Sequence, residues 1–478
     1  MNCTRCRNIL CWCVLAATAA SGAERWRFIV TCDSRQAGTG VNEPVLAELA
    51  SEVVRHRADF LLYPGDLVHG VRATPNQFEQ QLWNWVQVMR PVYEAGIGVY
   101  VCRGNHEAMD VAGAEPGTEP DPIDNHALRW LRVFGNAAHP DLMLPDNGPA
   151  GEEHMTYAVV HKNAMIVSLD QYAGIRHQIA HRVNQDWLDE RLERNAQPHV
   201  FVFGHEPAFR TYHSDCLDAF PSRRDALWES IKRAGGRTYF CGHDHYYDHA
   251  VVDDGDGMPE NDIHQLIVAT AGAPFYTWAP PYLGDNSYFL PEQLCHAPRY
   301  GYVLVEVDDL EVTLTWMERR SNDLSLPPLY GPGETWGYRV EPGPVVLWPN
   351  GNERLAASQA HTVRWKTTGG ADIRQVVIEY SADEGTNWTP VDRVTNSGCY
   401  EWRAPAVDSD ACLLRIRDAD RLHAYDVSDR PFSLFHCRMQ LRADLNGDCR
   451  VDFDDLAILL GEWLMCGNPD DPACDPLP

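Results

Sequence analysis

At 478 residues the chain is too long for one hydrophobic core, so about two to four domains are expected. Hydrophobic residues make up 44% of it and 15 are Trp, which excludes an intrinsically disordered chain. A net charge of −28 repels nucleic-acid phosphates over most of the surface and excludes DNA or RNA as a stable partner. A small phosphorylated substrate stays compatible, because bound metal reverses the sign locally.

Residues 1–23 have the parts of a secretory signal: basic Arg5 and Arg7, an apolar run over 9–20, and small-residue sites at Ala17-Thr18-Ala19 and Ser21-Gly22-Ala23. The run is shorter than the roughly 20 residues that span a bilayer. Cleavage is therefore expected, giving a secreted, periplasmic or cell-surface protein with no transmembrane segment. Cys3, Cys6, Cys11 and Cys13 leave with the signal. Export permits disulfides, with Cys399 and Cys412 stapling the domain they share and Cys437, Cys449, Cys466 and Cys474 bracing the tail. Cys32, Cys102 and Cys241 read as buried thiols.

Strands are expected over 27–33, 58–66 and 98–101, with helices over 42–56 and 76–94 between them. This alternation is the mark of an α/β layer built from βαβ units, whose functional groups gather at the carboxyl ends of the strands. Periodicity is lost over 108–155, which reads as a surface insertion near the site. Two strands follow over 157–170, a helix over 184–195, and strands over 199–203, 238–241, 266–271 and 302–317.

Five strand ends carry similar chemistry: Thr31-Cys32-Asp33-Ser34-Arg35, Gly65-Asp66-Leu67-Val68-His69, Gly104-Asn105-His106-Glu107, Gly204-His205-Glu206-Pro207 and Gly242-His243-Asp244-His245. In this order the motifs resemble those of the calcineurin-like metallophosphoesterases, over residues 25–318. The Gly-His-Glu-Pro form and the His69 spacing are similar to the purple-acid-phosphatase-like branch. The resemblance implies a four-layer αββα sandwich over 24–320 and a two-metal phosphoesterase centre. It implies Asp66 as the bridging ligand, Asn105, His205 and His243 completing one ion, and Asp33 and His245 holding the other. Mn, Fe or Zn suits such N/O donors. His106 matches the family's histidine that protonates the leaving oxygen, with Glu107 placed to orient it.

One position departs from the pattern. Arg35 stands where the family has a histidine ligand, and arginine, always protonated, does not bind metal. His69, three residues after Asp66, is the expected replacement; otherwise it is a loop histidine beside a weak site. Arg35 is then available to a substrate phosphate through its forked guanidinium. His154, His161, His177, His181, His213 and His249 lack motif support, with His213 a faint candidate for substrate contact.

Residues 321–343 read as a linker, and 344–436 as an immunoglobulin- or fibronectin-like β-sandwich of short alternating runs. The tail, 437–478, places Asp444, Asn446, Asp448, Asp452 and Asp455 at positions 1, 3, 5, 9 and 12 of a calcium loop, with the Arg450 carbonyl at position 7. It resembles one dockerin repeat, for which a cohesin-like or cell-surface partner is implied. Cys449 replaces the usual glycine at position 6, and only one repeat is present. The expected function is hydrolysis of a phosphomonoester or phosphodiester outside the cytoplasm. The alternatives are a binding or scaffold protein with a decayed first metal site, and a nucleotide pyrophosphate hydrolase.

Overall fold

Phe28, Ile29 and Val30 are fully buried in the strand Arg25–Val30 (β1), so that strand is covered on both faces, as an unbroken apolar run demands. After it come Arg35–Gln36 (β2), Gly40–Val41 (β3), Glu43–His56 (α1), Phe60–Tyr63 (β4), Pro75–Glu94 (α2) and Gly98–Val101 (β5). β1, β4 and β5 run parallel, with Phe28 beside Phe60 and Phe60 beside Gly98. Parallel neighbours need crossovers, and α1 and α2 supply them. α1 buries Val45, Leu46, Leu49, Ala50 and Val53 on one side. α2 opens with a capping box in which Thr74 and Gln77 satisfy each other's backbone N–H.

The helices Asn105–Ala108 (α3) and Asn125–Phe134 (α4) lead to a second sheet. Its elements are Tyr157–His161 (β6), Ala164–Leu169 (β7), Gln185–Glu193 (α5), His199–Gly204 (β8), Pro221–Arg233 (α6), Thr238–Cys241 (β9), Tyr247–Asp253 (β10), Ile263–Val268 (β11) and Leu290–Ala297 (β12). Gly301–Asp308 (β13), Glu311–Arg319 (β14) and Tyr330–Arg339 (β15) return to the first. The six-stranded sheet has the order β15-β14-β13-β1-β4-β5 and the seven-stranded one β12-β10-β11-β9-β8-β7-β6. The sheets meet through aromatic rings: Phe28 lies 4.8 Å from Phe60 in its own sheet and 4.9 Å from Phe201 in the other. With the inner faces so occupied, the crossover helices cover the outer faces, which gives the expected αββα layering. Below the site, Arg103 and Asp170 form a fully buried pair through Nε–Oδ1 (2.8 Å) and Nη2–Oδ2 (2.9 Å), joining the end of β5 to the end of β7.

This computed structural model describes residues 25–71, 73–108, 125–172, 181–195, 197–255, 259, 261–286, 288–340, 343–367, 373–420, 424–436, 443, 445, 449–451 and 453–461. The expected signal, His177, the calcium-loop residues Asp444, Asn446, Asp448 and Asp452, and Cys437, Cys466 and Cys474 lie outside the described residues. Among those described, no helix is long and apolar enough to cross a membrane.

Three expectations need correction. The stretch taken as a linker contains β15, which pairs with β14 as the edge strand of the first sheet. Its Gly and Pro residues suggested a linker, but Pro332 pairs with Met317 beside a bulge, on an edge where a missing N–H is tolerated. The insertion over 108–155 holds α4, whose Ala127, Trp130, Val133 and Phe134 join the main core. Cys412 is a buried free thiol, so no bridge joins it to Cys399.

Beyond β15 the elements among the described residues are all strands until the tail. A three-stranded sheet and a six-stranded sheet enclose Val363, Trp365, Ile378, Trp402, Leu414, Ile416, Phe432 and Leu434. In the tail, Cys449 is disulfide-bonded and has φ 70°. The Leu445 N–H donates to Asp455 Oδ1 (2.6 Å), tying the start of the helix Phe453–Gly461 (α7) to the loop before it.

Glu152 tests the buried layer between the sheets. Its carboxylate accepts from Thr156 Oγ1 (2.6 Å), and burial, then the charge of Asp170, pushes its pKa up to about 7. A carboxyl raised in the folded state binds its proton more tightly there than in the unfolded chain. Stability therefore falls as pH rises from the ordinary glutamate value towards about 7. Glu152→Gln keeps the acceptor and removes the charge. Thermal midpoints at pH 5 and pH 8 should lie closer together in the variant than in the native chain.

Candidate metal centre

Each expected donor stands at the carboxyl end of a strand. Asp33 follows β1, Asp66 and His69 follow β4, and Asn105 and His106 follow β5, all from the first sheet. His205 follows β8, and His243 and His245 follow β9, from the second. Asp33 (φ 63°), Asp66 (φ 49°) and His243 (φ 72°) adopt left-handed backbone, which turns each side chain off its strand towards the gap between the sheets. Two glycines make room for this turn. A Cβ on Gly104 would collide with Asp66 Oδ1, and one on Gly242 with Asp33 Oδ2.

The donors converge with their lone pairs facing one another. His205 donates its Nδ1–H to the Pro64 carbonyl (2.9 Å), which leaves Nε2 bare. That nitrogen lies 3.0 Å from Asn105 Oδ1 and 3.3 Å from Asp66 Oδ1, both acceptors. His243 Nδ1 faces the same Asn105 oxygen at 3.3 Å. His245 donates Nδ1–H to the Pro274 carbonyl (2.7 Å), and its bare Nε2 lies 3.4 Å from Asp33 Oδ1. Asp33 Oδ1, His69 Nδ1 and His245 Nε2 are buried without a hydrogen-bond partner. Buried acceptors facing acceptors are costly unless a cation sits among them. The residues therefore fit metal: Asp66, Asn105, His205 and His243 as one donor set, Asp33, Asp66 and His245 as another. Asp33, Asp66 and His205 each bring a donor atom within 4.8 Å of one another. His69 is not in that closest group; its ring lies 5.6 Å from that of His106.

Burial alone would raise the Asp66 carboxyl, but His106, His205, Arg35 and His243 outweigh it and hold the group well below the usual range. Arg35 Nε lies 3.0 Å from Asp66 Oδ2. Burial, and then Arg35 against the attraction of Asp66, lowers His106 to about 4. The His106 ring is held through Nδ1 by the His69 carbonyl, and its Nε2 lies 3.9 Å from Asp66 Oδ2. Glu107 does not orient that imidazole. Its carboxylate accepts the N–H groups of Gly104 (2.7 Å), Asp66 (2.9 Å) and Val68 (3.0 Å), so it shapes the loop that carries the Asp66 carboxylate.

Several further neighbours complete the surroundings of the site. Asp244 is buried and accepts from Tyr212 N (2.9 Å), His213 N (3.2 Å) and His213 Nδ1 (2.5 Å), fixing that loop beside the centre. His213 thus comes to the site, its ring 4.6 Å from that of His243. Asp215 approaches His243 Nε2 at 3.7 Å and, against burial, helps lift that histidine to about 9. Tyr276 stacks on His245 at 4.4 Å. His181 binds the buried Glu206 through Nδ1 (2.8 Å), whereas His154, His161 and His249 are taken up by other contacts. Asp244 lies inside the Gly-His-x-His motif and His213 is the faint candidate for substrate contact; Asp215 and Tyr276 come from loops without a motif, whose approach depends on the tertiary fold.

A two-sheet α/β sandwich with carboxylate, carboxamide and imidazole donors at facing strand ends is a scaffold for metal-assisted hydrolysis. Residues 39–247 match the calcineurin-like phosphoesterase family, so the chain carries a domain of that family. The match starts after Asp33 and Arg35 and spans the four later motifs. Among curated proteins no match is found.

Gly104→Ala tests the packing of the centre. The added methyl forces Asp66 to move, so metal affinity should fall at least about tenfold while the circular dichroism spectrum is retained. Titration with Mn or Zn, followed by metal analysis of the desalted protein, measures it.

Proposed function

We propose that the protein is a secreted metallophosphoesterase that hydrolyses phosphomonoesters or phosphodiesters at a dinuclear centre. The observation that carries this reading is the ring of buried, mutually facing acceptors around Asp66. Asp66, Asn105, His205 and His243 would hold one ion. Asp33, Asp66 and His245, with His69 in place of the usual motif histidine, would hold the other. Mn, Fe or Zn bound there supplies an activated water and cancels phosphoryl charge. Arg35 binds the phosphate of the substrate. His106 would protonate the leaving oxygen from Nε2 only as the imidazolium, since the neutral ring keeps its proton on Nδ1 towards the His69 carbonyl. His213 lines the substrate side, held by Asp244.

The remaining parts are read as accessories to an exported enzyme. The β-rich region is proposed as an immunoglobulin-like module, and the tail as a calcium-binding, dockerin-like segment that anchors the enzyme to a cell surface or a cohesin-like partner. The φ of 70° at Cys449, where the loop normally needs glycine, supports a calcium-loop turn. Calcium titration of the full chain, followed by the intrinsic fluorescence of Trp463, should saturate. Asp455→Ala should abolish that response.

The test of the enzyme uses the full chain loaded with Mn, Fe or Zn, assayed on p-nitrophenyl phosphate and bis(p-nitrophenyl) phosphate. Asp66→Asn should lower kcat/KM by at least about 10³-fold, and His106→Ala should lower kcat by about 10²–10⁴-fold. His69→Ala should lose bound metal; unchanged metal content and activity would remove His69 from the donor set. Chelation should abolish turnover and added metal should restore it. A folded, metal-loaded protein that hydrolyses neither ester would refute the reading.

A further inference from the structure

Arg35 is not used as the fully buried Arg319 is. Arg319 spends its whole guanidinium on protein, with bonds to Glu48 and to the carbonyls of Ser321, Asp323 and Leu326. Arg35 directs Nε at Asp66 Oδ2 (3.0 Å) and donates from Nη2 to the Tyr276 hydroxyl (3.1 Å). Among the described residues no hydrogen bond engages its Nη1. Its side chain keeps 17% exposure although its partner Asp66 keeps only 1%. A structural ion pair would close that edge; here a forked, positive edge is left open beside the metal donors.

The open edge is held in place by Tyr276. The phenol ring is clamped between Tyr212 (centroids 4.6 Å apart, planes 4° apart) and His245 (4.4 Å, 16°). His213 packs edge-on against it at 4.8 Å. The Tyr212 end of the stack is fixed in turn, since the Tyr212 N–H bonds buried Asp244. The guanidinium is therefore held at Nη2 by a hydrogen bond to a stacked phenol, while Nε lies in ion-pair range of the Asp66 carboxylate without a hydrogen bond, so part of the cost of ordering it is met before substrate arrives.

The chemistry of the ligand follows from this extra cation. A phosphodiester offers two non-bridging oxygens and one negative charge. A monoester offers three and, above a second pKa of about 6, close to two charges. Two metal ions match the needs of a diester; the third oxygen and second charge of a monoester call for one more cationic donor. A guanidinium meets that need better than an ammonium because it binds two oxygens in a plane. Resting on the phosphoesterase reading, we propose that Tyr276 is a positioning residue for Arg35, and that the pair selects phosphomonoesters over phosphodiesters.

The test compares native chain, Tyr276→Phe and Arg35→Ala, each loaded with Mn, on p-nitrophenyl phosphate and bis(p-nitrophenyl) phosphate. Tyr276→Phe keeps the ring stack and removes only the hydroxyl. The native chain should prefer the monoester. Tyr276→Phe should raise KM for it about three- to tenfold, and Arg35→Ala should lower its kcat/KM by about tenfold or more. The diester should change less than about twofold in Tyr276→Phe, and bound metal in that variant should match the native chain. A native preference for the diester, or a parallel loss on both esters, overturns the proposal.

Calorimetry with inorganic phosphate and with diethyl phosphate separates this proposal from the phosphoesterase reading. In a protein that turns over neither ester, phosphate binding that weakens in both variants while diethyl phosphate binding does not still upholds selection of the dianion, and parallel weakening of both rejects it. Equal binding in all three proteins rejects it.

Discussion

The position of the Asp66 carboxylate governs the centre. One oxygen faces His205 and accepts the His106 N–H; the other faces Arg35. The carboxylate reaches this place because Asp66 adopts positive φ, Gly104 leaves space for Oδ1, and Glu107 anchors the surrounding backbone through three N–H groups. A buried glutamate spent on loop N–H groups is expensive, since burial and the charge of Asp66 raise its own pKa to about 8. The fold accepts that cost to hold a second carboxylate where several donors can share it.

The electrostatics around Asp66 divide the histidines by task. His205 and His245 each give Nδ1–H to a backbone carbonyl and present a bare Nε2, the tautomer that a metal ligand needs. His243 is drawn instead towards its cationic form by Asp215 and Asp244, acids on the outer side of the site. A cation at the centre would oppose that proton, so acids and metal compete for the same ring. His106 hangs from the His69 carbonyl with Nε2 towards the carboxylate.

Much of this was legible in the sequence because each donor is announced locally. A strand followed by glycine and then Asp, Asn or His places one side chain at one sheet end, and four such repeats, with the glycine-free Asp33 motif, define a site. What stayed hidden depends on contact across the chain. Glu107 looked like a partner for the histidine beside it, but its carboxylate turns back onto the loop of Asp66. Tyr276 lies in a loop without a motif and matters only because β11 brings that loop against His245 and Arg35. β15 was hidden by its glycines and proline, which mark a linker in isolation but are tolerated on a bulged edge. α4 escapes a reading of periodicity because its four buried apolar residues follow a stretch of sequence rich in Gly, Pro, Asp and Glu.

The centre is divided between the sheets, and this has a mechanical consequence. Asp33, Asp66 and Asn105 ride on one sheet, His205, His243 and His245 on the other, and neither half closes a coordination shell. Any sliding of one sheet over the other would open the shell along its seam. The Arg103–Asp170 pair crosses that seam just beneath the donors, and the Phe28, Phe60 and Phe201 rings cross it farther down. The site is thus gauged by the spacing of the sandwich itself, and residues that never approach a substrate set the width of the gap a metal must fill.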